Sequence, residues 1–166
     1  MKTHILIDVD GVINAFAHTY APVWDSFPKM THVAGFSIRW WTEVIDRLHL
    51  LDCREDVEFF WLTTWEHDAP TELCPALGLR GEQWPVLVRD GAERSSVDPW
   101  WKFVRASEHF EEHSPDRLVW IDDDLAFSSS AKAWADLHPE VLLVAPAVET
   151  GLSPGDFKRI QQHLTA

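Results

Sequence analysis

His4-Ile5-Leu6-Ile7-Asp8-Val9-Asp10-Gly11-Val12-Ile13 is the stretch around which the rest of the chain is arranged. A short, continuous apolar run bounded by a turn signal reads as a strand buried on both faces. Side chains alternate along a strand, so Asp8 and Asp10 leave its carboxyl end on the same side. In open α/β sheets that end is where ligands bind. Two carboxylates held together there repel each other unless a cation neutralises them or one keeps its proton. A D-x-D-G taken alone suits a plain polar turn equally well, so the remaining sequence decides.

Outward from this strand, an irregular, aromatic-rich stretch runs from about Asn14 to Gly35, with Pro22 and Pro28 in it. Connections of such length are usually functional or flexible. Phe36-Ser37-Ile38-Arg39-Trp40 alternates like one arm of a hairpin. Trp41, Val44, Ile45, Leu48 and Leu51 fall at helical spacing. Val57 to Leu62 returns to the buried-strand pattern and ends at Thr63-Thr64. The pattern then predicts a helix over Glu66–Leu77 stopped by Gly78, and a third strand over Trp84–Val88. Asp98-Pro99 is a helix start, an N-cap carboxylate followed by proline, and it puts Lys102 in the first turn. Leu118 to Ile121 is a fourth strand and runs into Asp122-Asp123-Asp124. A helix over Ser129–Leu137 and a fifth strand, Val141 to Val144, follow. The last helix opens with Ser153 as N-cap, Pro154, Asp156 completing a capping box, and Leu152 with Phe157 as a hydrophobic staple. Five apolar strands alternating with helices imply an α/β fold: a parallel sheet with helices on both faces.

The chain has 166 residues, 46% of them hydrophobic, which suits one domain over 1–166. Lys and Arg number 14 against 27 Asp and Glu, a net charge of −13. That field repels polyanions and argues against an extended nucleic-acid surface, while a small phosphorylated ligand stays compatible with cations focused in one site. Cys53 and Cys74 have no C-x-x-C spacing and read as reduced thiols. With no apolar leader or membrane-length run, the expectation is a cytoplasmic protein without a membrane partner. The ten tryptophans suit core and cleft-wall positions.

Four polar signals thus occupy equivalent places. Asp8 and Asp10 end the first strand, Thr63 and Thr64 the second, Lys102 opens a helix, and Asp122 to Asp124 end the fourth strand. All can converge on one sheet edge. A carboxylate there can attack phosphorus, and a second can protonate the leaving oxygen and then activate water. Carboxylates from two strands can hold Mg2+, and a threonine hydroxyl with a lysine ammonium can bind phosphoryl oxygens.

This motif set resembles the haloacid dehalogenase (HAD) superfamily of phosphohydrolases, with Asp8-Val9-Asp10-Gly11-Val12, Leu62-Thr63-Thr64-Trp65, Lys102 and Ile121-Asp122-Asp123-Asp124 in the family's order. The text around the motifs (WLTTWEH, WPVL, PWWK, VWIDDDL) is similar to small bacterial and phage HAD domains related to RNA-repair, or Swiss Army Knife, proteins. The resemblance implies a three-layer, Rossmann-like α/β/α fold with a five-stranded sheet, and a flap or minimal cap over 15–40. It implies Asp8 as nucleophile, Asp10 as general acid/base, Thr63 and Lys102 on the phosphoryl group, and Gly11, Thr64 and Trp65 on the substrate side. Mg2+ would be held by Asp8, the Asp10 carbonyl, Asp123 and Asp122. Trp65, Trp40 and Trp24 are candidates to stack a base. The implied activity is hydrolysis of a phosphomonoester, on a nucleotide or a nucleic-acid terminal phosphate. A catalytically silent binding or regulatory module on the same fold is the alternative. A receiver-type phosphoacceptor uses similar residues in a different order.

Overall fold

The computed structural model describes residues 1–16, 23–89 and 100–166. In chain order the elements are β1 (Thr3–Ile7), β2 (Lys29–Val33), β3 (Phe36–Trp40), α1 (Thr42–Asp52), β4 (Val57–Trp61), a π-helical turn (Ala69–Leu73) running into α2 (Cys74–Leu77), α3 (Trp101–His113), β5 (Arg117–Ile121), a 3-10 turn (Asp123–Ala126), α4 (Ser129–Asp136), β6 (Val141–Val144) and α5 (Pro154–Thr165). No described helix is long and apolar enough to cross a membrane.

Every residue of β1 is buried. A strand with no face to give to water belongs in the middle of a sheet, and the sheet order is β4-β1-β5-β6, all parallel. Odd residues of β1 (Ile5, Ile7) join one apolar cluster with Val44, Ile45 and Leu48 of α1 and Phe157 and Ile160 of α5. Its even residue Leu6 joins the other cluster with Trp120, Trp101 and Ala106 of α3, and Ala131 of α4. The result is the expected α/β/α layering, produced by the period of two along each buried strand.

The expected fifth strand over Trp84–Val88 is reduced to one parallel bridge between Val86 and Trp61, so among the described residues the sheet has four strands and not five. Trp61 N–H donates to Pro85 O at 2.8 Å, and Leu87 N–H to Trp61 O at 2.8 Å. A further rung would need an N–H on Pro85, which has none. In the other direction Arg89 N–H turns away to Glu66 Oε1 at 3.2 Å. The helix expected over Glu66–Leu77 is also altered. Pro70 and Pro75 interrupt regular α hydrogen bonding, and Cys74 N–H reaches back five residues to Ala69 O before α2 ends at Gly78, φ 69°.

Most remaining elements follow the sequence reading, but β2 is a strand inside the stretch expected to be irregular, where it completes the hairpin with β3. β2 and β3 pair antiparallel, with Ile38 and Trp40 turned into the core. α5 carries the Ser153–Asp156 capping box. Lys102 is in the first turn of α3, while the Asp98-Pro99 start lies outside the described residues. Trp24 and Trp40 are buried core residues, and Trp24 Nε1 donates to Leu152 O at 3.0 Å.

The α3 face also buries His4 and His109, which share a hydrogen bond of 2.8 Å, Nδ1 to Nε2, against the Phe60 ring. Burial lowers His4 to about 4 despite Glu58 nearby, and lowers His109 to about 3 with help from His113 and His4. The unfolded chain binds a proton at each near pH 6.5 while the fold refuses it, so these imidazoles contribute stability that is lost as pH falls below about 6.5. Asp122 and Asp123, raised in the fold, act in the opposite sense. The effect of the imidazole is therefore isolated by comparing wild type with His109→Gln, which keeps a hydrogen-bonding side chain and removes the titration. On lowering the pH from 7.5 to 5, urea unfolding is expected to show wild type losing on the order of 2 kcal/mol relative to the variant. Parallel pH profiles for the two proteins would refute this account.

Candidate active site

Sheet register brings the carboxylates together. Ile7 of β1 is level with Trp61 of β4 and Ile121 of β5, so the next residues, Asp8 and Asp122, leave adjacent strands side by side. Both have the parity of Leu6 and Trp120 and therefore face α3. There Lys102 Nζ stands 2.7 Å from Asp8 Oδ2 and 2.7 Å from Asp122 Oδ2. The three side chains are 4%, 6% and 0% exposed, respectively. Val9 N–H donates to Asp8 Oδ1 at 2.7 Å, and Asp124 N–H to Asp122 Oδ1 at 3.0 Å. Thr63, fully buried at the end of β4, hydrogen-bonds the Asp8 carboxylate.

Burial pushes the Asp8 carboxyl above the usual range, against the pull of Lys102. Asp122 rises to about 7 through burial and the neighbouring Asp8, and Asp123 to about 6 through burial and the charges of Asp124 and Asp8. Desolvation opposes the charge on Lys102, but Asp8 and Asp122 together more than offset it and its pKa is raised. One ammonium therefore faces an excess of carboxylate. Ligand atoms of Asp8, Asp122 and Asp123 lie within 4.8 Å of one another, a group that could hold a metal ion.

After Val9 the chain turns sharply. Val9 O accepts N–H groups from Val12, Ile13 and Asn14, and Gly11 sits at φ 68°. A Cβ on Gly11 would overlap the Asp123 carboxylate, so glycine is required both by the backbone and by that close approach. The turn leaves Asp10 half-buried with a donor on each oxygen: Asn14 Nδ2 on Oδ1 at 2.8 Å and Trp65 Nε1 on Oδ2 at 2.9 Å. Asn14 Oδ1 in turn accepts from Arg39 N–H of β3 at 3.0 Å.

The structure thus brings together Asp8, Thr63, Lys102, Asp122 and Asp123, with Asp10 and Gly11 on the adjoining turn. Thr64 is exposed and lines a cavity of about 230 Å³ together with Asp10, Phe36, Trp65 and Asp68. A second cleft, of about 340 Å³, lies on the Asp124 side among Trp100, Phe127 and Ser128 to Ser130. Sequence reasoning missed Asn14, Phe36 and Asp68. Asn14 carried a usable signal, since asparagine favours turns that its side chain can bridge. Phe36 and Asp68 carried none, because they reach Asp10 through the tertiary fold.

With this geometry in hand, comparison with family descriptions matches residues 4–157 to the HAD domain in Swiss Army Knife RNA repair proteins. The chain belongs to that family. No curated protein and no solved structure matches the chain. The HAD assignment points to phosphohydrolase-type chemistry in the broad sense, and the acidic cluster of this HAD domain is compatible with a metal.

Replacing Lys102 by Met leaves Asp8 and Asp122 buried without their shared cation. The expected cost is about 3–5 kcal/mol of stability in metal-free buffer. Adding Asp122→Asn to Lys102→Met should recover part of it, read as a rise in the urea midpoint. A Lys102→Met protein as stable as wild type would show that the ion pairs carry little of the fold.

Proposed function

We propose that this HAD domain hydrolyses a phosphomonoester through an aspartyl-phosphate on Asp8, with Mg2+ as its metal, on a nucleotide or a nucleic-acid terminal phosphate in the cytoplasm. The observation that carries the reading is the buried Asp8 carboxylate held by Lys102 and Thr63, with Asp10 oriented two residues away.

In the first step an Asp8 carboxylate oxygen attacks phosphorus, and the bond from phosphorus to the leaving oxygen breaks as Asp10 delivers a proton to that oxygen. Asp10 then takes a proton from water, the resulting hydroxide attacks phosphorus, and the bond to Asp8 breaks to release phosphate. Thr63 and Lys102 hold the phosphoryl oxygens, and Lys102 offsets the charge that develops. Asn14 and Trp65 keep the Asp10 carboxyl aimed in one direction, which limits the reorganisation needed at each proton transfer. The donor set fits the metal: ligand atoms of three carboxylates lie within 4.8 Å of one another, and the missing Cβ of Gly11 leaves the Asp123 carboxylate its place. Asp8, Asp122, Asp123 and the Asp10 carbonyl would be its ligands. When bound, Mg2+ supplies the positive charge that lets an anionic nucleophile approach an anionic phosphate.

Phosphate release from nucleoside 3′- and 5′-monophosphates and from 3′- or 5′-phosphorylated oligonucleotides tests the reading. Asp8→Asn should abolish release, Asp10→Asn should lower it by about 10²–10⁴, and EDTA should remove it reversibly. Full activity in Asp8→Asn defeats the mechanism. Binding of Mg2+ and phosphate without turnover of any ester would make the chain a binding module.

A further inference from the structure

The leaving oxygen has to reach Asp10, so whatever the phosphate is esterified to occupies the space that Asp10 borders. Among the described residues, that space is the cavity of about 230 Å³ lined by Asp10, Phe36, Thr64, Trp65 and Asp68. Its size falls below the roughly 300–1,000 Å³ of sites for drug-sized ligands, which suits one small ring system and not a chain.

The walls differ in chemistry. Phe36 begins β3 next to the tight Ala34-Gly35 turn, where both residues have positive φ. The residue is 63% exposed, in a segment whose Ile38 and Trp40 supply the core contacts, so Phe36 contributes little to the apolar interior. It meets Trp65 at 5.5 Å between ring centroids and 60° between planes. Because the Trp65 N–H is committed to Asp10 Oδ2, what Trp65 offers the cavity is carbon surface. The polar wall consists of the Asp10 and Asp68 carboxylates and the Thr64 hydroxyl, with no lysine or arginine among the described lining residues. Such a wall accepts hydrogen bonds from hydroxyl and amino groups, and repels a second phosphate. The net charge of −13 acts in the same direction at longer range.

We propose that the Asp10 cavity is the leaving-group site and takes a nucleoside, its base against the aromatic corner of Phe36 and Trp65, and that Asp68 discriminates against a leaving group bearing a second phosphate. This deepens the hydrolase reading and rests on it. It narrows the substrate to a nucleoside monophosphate and disfavours a polynucleotide end, whose next phosphodiester would approach Asp68.

Three ligands separate the contributions: a nucleoside 5′-monophosphate, the matching nucleoside 3′,5′-bisphosphate and glycerol phosphate. Their binding is measured by calorimetry in the Asp8→Asn background, and their kcat/KM in the otherwise wild-type protein, each with Phe36→Ala, Asp68→Asn and Phe127→Ala. Phe36 and Phe127 are both exposed, so either substitution should leave the fold intact. Phe36→Ala should cut the preference for the nucleoside monophosphate over glycerol phosphate about ten- to hundredfold. Asp68→Asn should raise the bisphosphate relative to the monophosphate by about three- to tenfold. Phe127→Ala, in the opposite cleft, should leave both ratios in place. Ratios indifferent to Phe36→Ala, or moved by Phe127→Ala instead, overturn the assignment, as does a wild-type preference for the bisphosphate or for a phosphorylated oligonucleotide. No phosphate release from any ester, with the binding ratios as expected, defeats the hydrolase reading and keeps the pocket. Release with ratios indifferent to Phe36 and Asp68 does the reverse.

Discussion

One ammonium shared by two buried carboxylates, Lys102 between Asp8 and Asp122, is the constraint on which the site depends. Removing three charges from water costs more than a surface ion pair returns, and a well-packed apolar substitute would serve stability as well or better. What the arrangement secures is position. Lys102 comes from the first turn of α3, Asp8 and Asp122 from two adjacent strands, and their bonds fix that helix end against the carboxyl edge of the sheet. Burial, together with the excess of carboxylate over ammonium, also leaves the site electrostatically unfinished, with Asp122 near 7 and Asp123 near 6 instead of in the usual carboxylate range. A divalent cation or a phosphoryl group with its counter-ion completes it.

The two carboxylates of the D-x-D-G turn acquire different environments from one local event. Asp8 directly follows the last paired residue of β1, its N–H still on Ile121 O at 3.0 Å, so it inherits the burial of the strand. Two residues later the chain has entered the Val9–Asn14 turn, and Asp10 lies at the margin of the sheet with Asn14 and Trp65 on its oxygens. A buried carboxylate beside an ammonium suits attack on phosphorus, and a half-exposed one held by two donors suits proton exchange with a leaving group and with water. Gly11 permits both the turn and the approach of Asp123, so the D-x-D pair and the Asp123 carboxylate depend on one glycine.

Much of this was legible in the sequence because it depends on period and order. A run such as Ile5 to Ile7 can only be a central strand, the helical spacing of Val44, Ile45, Leu48 and Leu51 sets the α1 face, and parallel strands must all present their carboxyl ends to one edge. The convergence of Asp8, Thr63, Lys102 and Asp122 follows from those rules. What stayed hidden depends on contacts between distant segments or on backbone chemistry within an edge. Trp84–Val88 has the composition of a strand, yet Pro85 lacks the donor for a second rung. Trp65 reads as a candidate stacking residue, and its neighbours do not foretell that its indole N–H is also committed to Asp10. Phe36 reads as a hairpin position, and nothing in its neighbours foretells that the hairpin lies over the acid.

The charge distribution ties site and surface together. A chain with net charge −13 lowers the local concentration of any anion, and more strongly the more charges the anion carries. Binding of phosphate must then come from short-range groups in a desolvated pocket, where Lys102 is worth far more than it would be in water. The same site places carboxylates on both sides of that lysine, so its attraction for an anion falls off within a short distance. At long range, selection against larger polyanions precedes any local contact such as that with Asp68. It follows from an acidic surface around a single buried cation, and the exposed aromatic surface next to Asp10 leaves uncharged ring contacts as the way to add affinity without adding charge.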